Sequence, residues 1–300
     1  MSYGDGQRGP YGNGGGFGLG ARLIPLAIGL IAIAFTMVRG CQHGPFGRNQ
    51  IVAITPAQEA QLGAQAFREV LSTSKVIRGG LTVEDVRRVT KRLTDATVNP
   101  DFQRRIGIKI PDFKWELEVV DDKQVNAFCL PGGKIVVYTG ILPVAVSDAG
   151  LATVIGHEIS HALGHHGSER MAQQQLANIG LTAAGASIGD MDLQKRQQIM
   201  MVLNAGTKFG ILKYSRSHES EADHMGLLLM AAAGYDPRES IEFWKRMTPA
   251  TGSSGQPEFM STHPNHGTRI RDLKGWMPDA LALYEKSPVK SRPRVLPGVE

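Results

Sequence analysis

Disulfides do not hold this chain together: its 300 residues include two cysteines, Cys41 and Cys129, which make no framework. No internal repeat is present. Nor is there a basic stripe interleaved with aromatics of the kind that binds nucleic acid. The net charge is +5 and the pI about 9.2, but the basic residues are scattered. Arg87, Arg88, Lys91 and Arg92 lie along one helix as a solvated face, and Lys286, Lys290, Arg292 and Arg294 sit in the tail. Nucleic acid is therefore not expected as a partner. Long charge-free apolar runs are also scarce, with one clear example from Leu23 to Val38. What remains is ordinary globular composition, 42% hydrophobic and 20% charged, at a length suited to one catalytic domain and an appendage.

The N-terminus is that appendage. Residues 1–20 are Gly-rich and polar and read as a disordered leader. Residues 21–40 contain the apolar run, with Arg22 before it and Arg39 after it. The run is shorter than the roughly 20 residues of a spanning helix, but snorkelling arginines extend it. Two readings stand: a membrane anchor, or a signal segment removed from the mature chain. The long leader and the lack of a small-x-small cleavage site favour the anchor. The following domain is then expected in the periplasm or otherwise outside the cytoplasm. Residues 41–54 read as a linker, 55–280 as the catalytic domain, and 281–300 as a flexible tail.

Within the domain, Thr55 caps a helix with Pro56 at its first position and Gln58 closing a capping box. A second helix starts at Thr82, carries Val83, Val86, Val89 and Leu93 at helical spacing, and is broken by Asn99-Pro100. Three strands follow, at 115–120, 125–130 and 134–140, with Pro131-Gly132-Gly133 turning between the last two. The third, following that turn, is expected to offer an exposed edge to an extended substrate. Helices are predicted at 148–165, 168–187, 194–210, 217–233, 237–248 and 267–275, with a Pro/Gly/Ser loop over 251–266. The fold class is α+β: mostly helical, with a small β-sheet ahead of a histidine-rich helix.

That helix carries HEISHALGHH, His157 to His166. His157 and His161 are four apart, so a helix stacks both imidazoles on one face. Two imidazoles so placed make two corners of a tetrahedral zinc site, and Glu158 can reach the open position to take a proton from bound water. Val154, Ile155, Ile159, Ala162 and Leu163 surround the pair with apolar groups, where imidazoles need a partner such as a metal. A third histidine six residues after His161 would fall on Gly167, so that ligand must come from elsewhere. His166 is one residue short and rotates off the face. His165 is a full turn beyond, as a supporting or helix-terminal group. The stretch SRSHESEADHMG offers Glu219 and Asp223, again four apart. One can ligate while the other accepts the Nδ1 proton of a ligand histidine. Glu221 points away from that pair. Cys129 reads as a small buried hydrophobe.

HEISH, YSRSHESEADHMG and STHPNHGTRI, with NAFCLPGGKIVVYTGIL ahead of them, resemble the gluzincin metallopeptidases of family forty-eight. The last two motifs look closest to its mitochondrial inner-membrane quality-control branch and the bacterial periplasmic relatives. The resemblance covers roughly residues 55–280 and implies a zincin-type metallopeptidase domain. It implies one Zn2+ per chain, held by His157, His161 and Glu219. It also implies Glu158 as general base and Asp223 as the acid behind a ligand. His263 matches a loop histidine that can approach the metal, as oxyanion donor or as a latency ligand, and Arg269 matches the arginine after it. The expected activity is metalloendopeptidase cleavage of misfolded or membrane-associated proteins. The alternative is a chaperone-like or latent zinc-binding module with little proteolysis.

Overall fold

The computed structural model describes residues 19–188, 193–195, 197, 214–247, 258–263 and 267–296. Most of the Gly-rich leader, most of the predicted helix 194–210 and most of the loop 251–266 lie outside the described residues.

The apolar segment is helical over Leu19–Gly40 (α1), longer than the charge-free run itself. Its window Leu23–Gly40 has a mean hydropathy of 2.0, and only 11% of that window is buried. By length and composition it can cross a membrane.

The expected linker 41–54 is instead partly folded. Cys41–His43 (β1) and Asn49–Ile51 (β2) pair antiparallel, and Gln50 is buried. The tip between them turns through Phe46 in the left-handed region, φ 54. Phe46 lies flat on His224 at 4.3 Å, and His224 lies on Trp276 at 4.4 Å. Strands of three residues give no periodic signal, so tertiary contacts, not local pattern, hold this hairpin.

Burial in that three-ring stack pushes the His224 imidazole down from 6.5 to about 4. The folded pKa lies below the unfolded one. The stabilisation from the neutral ring is therefore complete above about pH 6.5 and is lost as pH falls towards 4. His224→Phe keeps a stack and removes the titration. The Tm gap between this variant and wild type should be constant above pH 6.5 and shift in the variant's favour from there to pH 4. A gap that does not move with pH would contradict the assignment.

Pro56–Thr73 (α2) begins at the expected capping box: Gln58 N–H donates to Thr55 Oγ1, and Thr55 N–H donates to Gln58 Oε1. Leu81–Ala96 (α3), after the two-residue strand Val76–Ile77 (β3), buries Val83, Val86, Val89 and Leu93. Asn99-Pro100 ends that helix and also starts another, Pro100–Ile106 (α4). Asn99 Oδ1 accepts from Asp101 and Phe102, and Pro100 takes the first helical position.

Glu116–Val120 (β4), Ala127–Leu130 (β5) and Lys134–Tyr138 (β6) join β3 in a sheet of order β3-β4-β6-β5. β4 runs parallel to β6, and β5 antiparallel. Side chains alternate between two layers. Ala127, Cys129, Ile135 and Val137 join the main core, while Val136, Phe128, Leu130 and Tyr138 pack with Phe67 and Leu71 of α2. This order corrects one expectation: β6 is interior, buried on both faces, and the edge strands are β3 and β5.

After the single turn Leu142–Ala145 (α5), Asp148–Leu163 (α6) runs through the centre of the molecule with nearly every residue buried. Ser147 caps it by accepting from Gly150 N–H. His166–Ser187 (α7) packs along α1, where Gly29 permits contact: a Cβ there would stand 2.5 Å from Ala183 Cβ. Arg216–Ala232 (α8) crosses α6 at Gly156 and Gly226, and a Cβ on Gly226 would stand 2.9 Å from His157 N. The crossing brings the two polar motifs face to face. Glu239–Met247 (α9), Glu258–Thr262 (α10) and Arg269–Lys286 (α11) follow.

The last helix is longer than the predicted 267–275, and the tail 281–300 is not loose over its described part. Val295 bridges Ser147, Asp148 N–H donates to Arg294 C=O, and Leu296 is buried.

Candidate metal centre

His157 and His161 project from one face of α6, and Glu219 comes from the first turn of α8. His263 follows α10. Their ligand atoms lie within 4.8 Å of one another, and all four residues are buried. His157 Nε2 is 3.1 Å from His161 Nε2 and 3.3 Å from His263 Nδ1. Glu219 Oε1 is 3.4 Å from His161 Nε2 and 3.0 Å from His263 Nδ1, and its Oε2 is 3.5 Å from His157 Nε2. Tetrahedral zinc with ligands about 2.1 Å away spaces its donors by about 3.4 Å. The five separations match that size, so the side chains present fit a four-coordinate ion.

The hydrogen bonds behind the ligands set which nitrogens face inward. His157 Nδ1–H donates to Asp223 Oδ1 at 3.0 Å, and Asp223 Oδ2 accepts from Arg269 Nε at 2.6 Å. Arg269 Nη2 also donates to Glu219 Oε2 at 2.7 Å, and its guanidinium lies 3.8 Å over the Trp244 ring. His161 Nδ1 meets His166 Nδ1 at 2.9 Å, and His166 Nε2–H donates to Glu221 Oε1 at 2.8 Å. His161 therefore donates to His166. Both Nε2 lone pairs of His157 and His161 are left turned to the centre. Rings hold the imidazoles in place: Tyr214 stacks on His161 at 4.0 Å and Phe259 on His263 at 4.5 Å.

Electrostatics agree with a cation at this point. Burial opposes charge on His157, but Asp223 and Glu219 outweigh it and raise the imidazole to about 10. Burial also opposes charge on Glu219, yet its hydrogen bonds to His157, His161 and His263 hold the carboxyl well below the usual range. Desolvation pushes His161 well below 6.5 and His166 down to about 4, keeping both rings neutral, as ligation of the first requires. Glu158 is raised by burial, is hydrogen-bonded by the main chain of Cys129, and its Oε1 has no hydrogen-bond partner. That oxygen lies 3.5 Å from His263 Nε2, beside the ligand quartet.

All six expected site residues thus meet in one place. Sequence reasoning misses others. His166 is off the ligand face as predicted and is not among the four converging side chains, but its contact with His161 has no local signal: α6 stops at Leu163 and His165 takes the left-handed conformation, φ 54, which swings His166 behind His161. His165 itself pairs with Glu59. Glu221 does point away from the quartet, and there it supports His166. Cys129, read as a small hydrophobe, is buried, and its main chain supports Glu158. Arg48, Tyr214 and Trp244 carry no local signal.

The model of peptidase family M48 matches residues 86–277. Mitochondrial metalloendopeptidase OMA1 of Schizosaccharomyces pombe is 41% identical over 231 residues, covering 76% of this chain and 64% of that protein. The human mitochondrial metalloendopeptidase OMA1 is 37% identical over 183 residues, 59% of this chain and 35% of that one. The beta-barrel assembly-enhancing protease of Escherichia coli K12 is 27% identical over 223 residues, 72% of this chain and 43% of that one. The chain spans about a third to two thirds of the length of the curated relatives it matches.

Proposed function

The chain belongs to peptidase family M48, and from that premise we propose that it is a membrane-anchored zinc metalloendopeptidase cleaving misfolded or membrane-associated proteins. The observation that carries this reading is the buried quartet His157, His161, Glu219 and His263 with the unpartnered Glu158 Oε1 beside it. Residues 21–40 are the anchor. Residues 55–280, joined by the hairpin before them and the docked tail after them, form the catalytic domain outside the cytoplasm.

When bound, zinc supplies a Lewis acid that makes water nucleophilic near neutral pH and polarises the scissile carbonyl. His157, His161 and Glu219 would hold it. Asp223 and His166 occupy the Nδ1 protons of the two histidines and so aim their Nε2 lone pairs. Glu158 accepts the water proton at Oε1 and passes it to the leaving nitrogen. Its raised pKa suits both halves of that transfer. Of the two edge strands, β5 is the one beside Glu158 and so the place for an extended substrate to pair by its main chain. Such pairing reads backbone, which suits unfolded chains of many sequences.

The position of His263 favours a second state of the same site. His263 Nδ1, 3.0 Å from Glu219 and 3.3 Å from His157, stands at a fourth corner of the quartet. A histidine ligand there keeps water out, giving a latent, chaperone-like form until substrate displaces it. His263→Ala should then raise casein cleavage several-fold with zinc retained. A fall would assign His263 to oxyanion stabilisation instead.

The reading as a whole is tested on the full chain in detergent, by zinc per chain and casein cleavage. A folded chain that takes up no zinc would overturn it.

A further inference from the structure

We propose that Arg48, in the hairpin that follows the anchor helix and outside the family match of residues 86–277, is a positioning residue for the metal centre, acting on His161 through Glu221 and His166. The inference rests on the zinc-peptidase reading above and adds a part of the site that the catalytic domain does not itself contain.

Arg48 Nε donates to Glu221 Oε2 at 2.6 Å and Nη2 to Glu221 Oε1 at 3.3 Å. Nη1 reaches both oxygens of Glu169, at 3.1 and 2.9 Å, and Nη2 also donates to Gln50. One guanidinium thus ties α7, through Glu169, to α8, through Glu221. Each carboxylate holds a buried histidine on its other side. Glu221 accepts from His166 Nε2–H at 2.8 Å, and Glu169 Oε2 is 3.0 Å from His218 Nε2. The two histidine rings stack at 4.6 Å. His166 then offers Nδ1 to His161 Nδ1–H at 2.9 Å.

Every bond in this chain has a fixed direction. Arginine can only donate and a carboxylate only accepts. His166 must therefore spend its single N–H on Glu221 and keep Nδ1 as an acceptor. His161 must spend its N–H on His166, which leaves its Nε2 free for the metal. Asp223 and Arg269 do the same for His157 from within the catalytic domain. For His161 the terminal donor comes from the juxtamembrane hairpin, 173 residues away from Glu221 in sequence.

Without Arg48, Glu221 loses the donors that orient it. The His166 ring loses its fixed acceptor, and His161 its aim. The hairpin is set by its surroundings on both sides: Phe46 at its tip is stacked on His224, and α1 before it is packed on α7. The anchor's seat on the domain and the geometry of a metal ligand are therefore parts of one connected structure.

The test uses the full chain in detergent with Arg48→Ala and Arg48→Lys, reading zinc affinity by chelator competition, kcat and KM on a fluorogenic peptide, and Tm. Arg48→Ala should weaken zinc binding about 10–100-fold. It should lower kcat with KM within about twofold, since substrate pairing on β5 is untouched. Arg48→Lys, a point charge able to serve one carboxylate, should recover part of both. Combining Arg48→Ala with Glu221→Gln should cost little more than either alone, because both act through one chain of bonds. Zinc affinity and kcat within about twofold of wild type, with only Tm lowered, would reduce Arg48 to a brace and overturn the proposal. Should Arg48→Ala fail to fold, Arg48→Lys decides: weaker zinc binding at unchanged Tm supports the role, and unchanged binding sinks it. A wild-type chain that binds no zinc sinks both this proposal and the reading beneath it. Zinc binding and cleavage by wild type with indifferent Arg48 variants sinks this one alone.

Discussion

Glu158→Gln should abolish peptide cleavage while leaving zinc in place. The amide has the shape of the carboxyl and can still accept the main-chain hydrogen bond of Cys129. It cannot accept a proton from water. Glu158 is not among the four side chains whose ligand atoms converge, so the ion should be retained at one per chain. Loss of a positioned general base costs about 10²–10⁴ in rate. Casein cleavage should therefore fall to background at an unchanged metal content by elemental analysis. Cleavage within about tenfold of wild type would assign the proton transfer to another group. Loss of the metal as well would mean that Glu158 belongs to the ligand set.

Arg269→Met should be the most destabilising single change in the catalytic domain. Arg269 is fully buried, yet it is the cation between two buried carboxylates, with 2.6 Å to Asp223 and 2.7 Å to Glu219. Methionine preserves much of the volume over Trp244 and removes the charge. Breaking a buried ion pair by deleting one partner costs about 3–5 kcal/mol, because the remaining charge is left desolvated and unpaired. In a chain of this size that is a Tm drop of roughly 6–20 °C. Saturating zinc should return part of the loss, since the ion binds the same Glu219 and stabilises the state that holds it. Thermal unfolding with zinc and with chelator measures both effects. A Tm within about 2 °C of wild type would show that the trio adds no net stability.

Several parts of this protein are legible in its residue order. The spacing of His157 and His161 and that of Glu219 and Asp223 are helical facts, true wherever the helices lie. The Thr55 capping box, the Asn99-Pro100 break and the three strands are local patterns too, and they fall within a few residues of the expected positions. Local bonding decides them, so neighbours in sequence suffice. The choice between Glu219 and Asp223 is left open by spacing alone, because both lie on one face. Only the approach of α6 shows which carboxylate meets both Nε2 atoms and which meets an Nδ1.

The failures share a cause. Sheet order is a relation between distant segments, so nothing within Lys134–Tyr138 shows that a strand lies on each side of it. The contact of His166 with His161 arises where the chain leaves the helix at His165, beyond the reach of helical phase. The hairpin and the tail are short, irregular segments held by partners far away, Glu221 for Arg48 and Ser147 for Val295.

The sequence by itself determined that His157 shares a helix face with His161 and Glu219 with Asp223, and that one segment is apolar and long enough to span a membrane, because each depends on spacing along one element. Only the tertiary structure decided which strands are edges, which carboxylate meets both Nε2 atoms and that Arg48 is joined to His161 through Glu221 and His166. Those depend on where α6, α7, α8 and the hairpin cross, and close packing settles that across the whole chain.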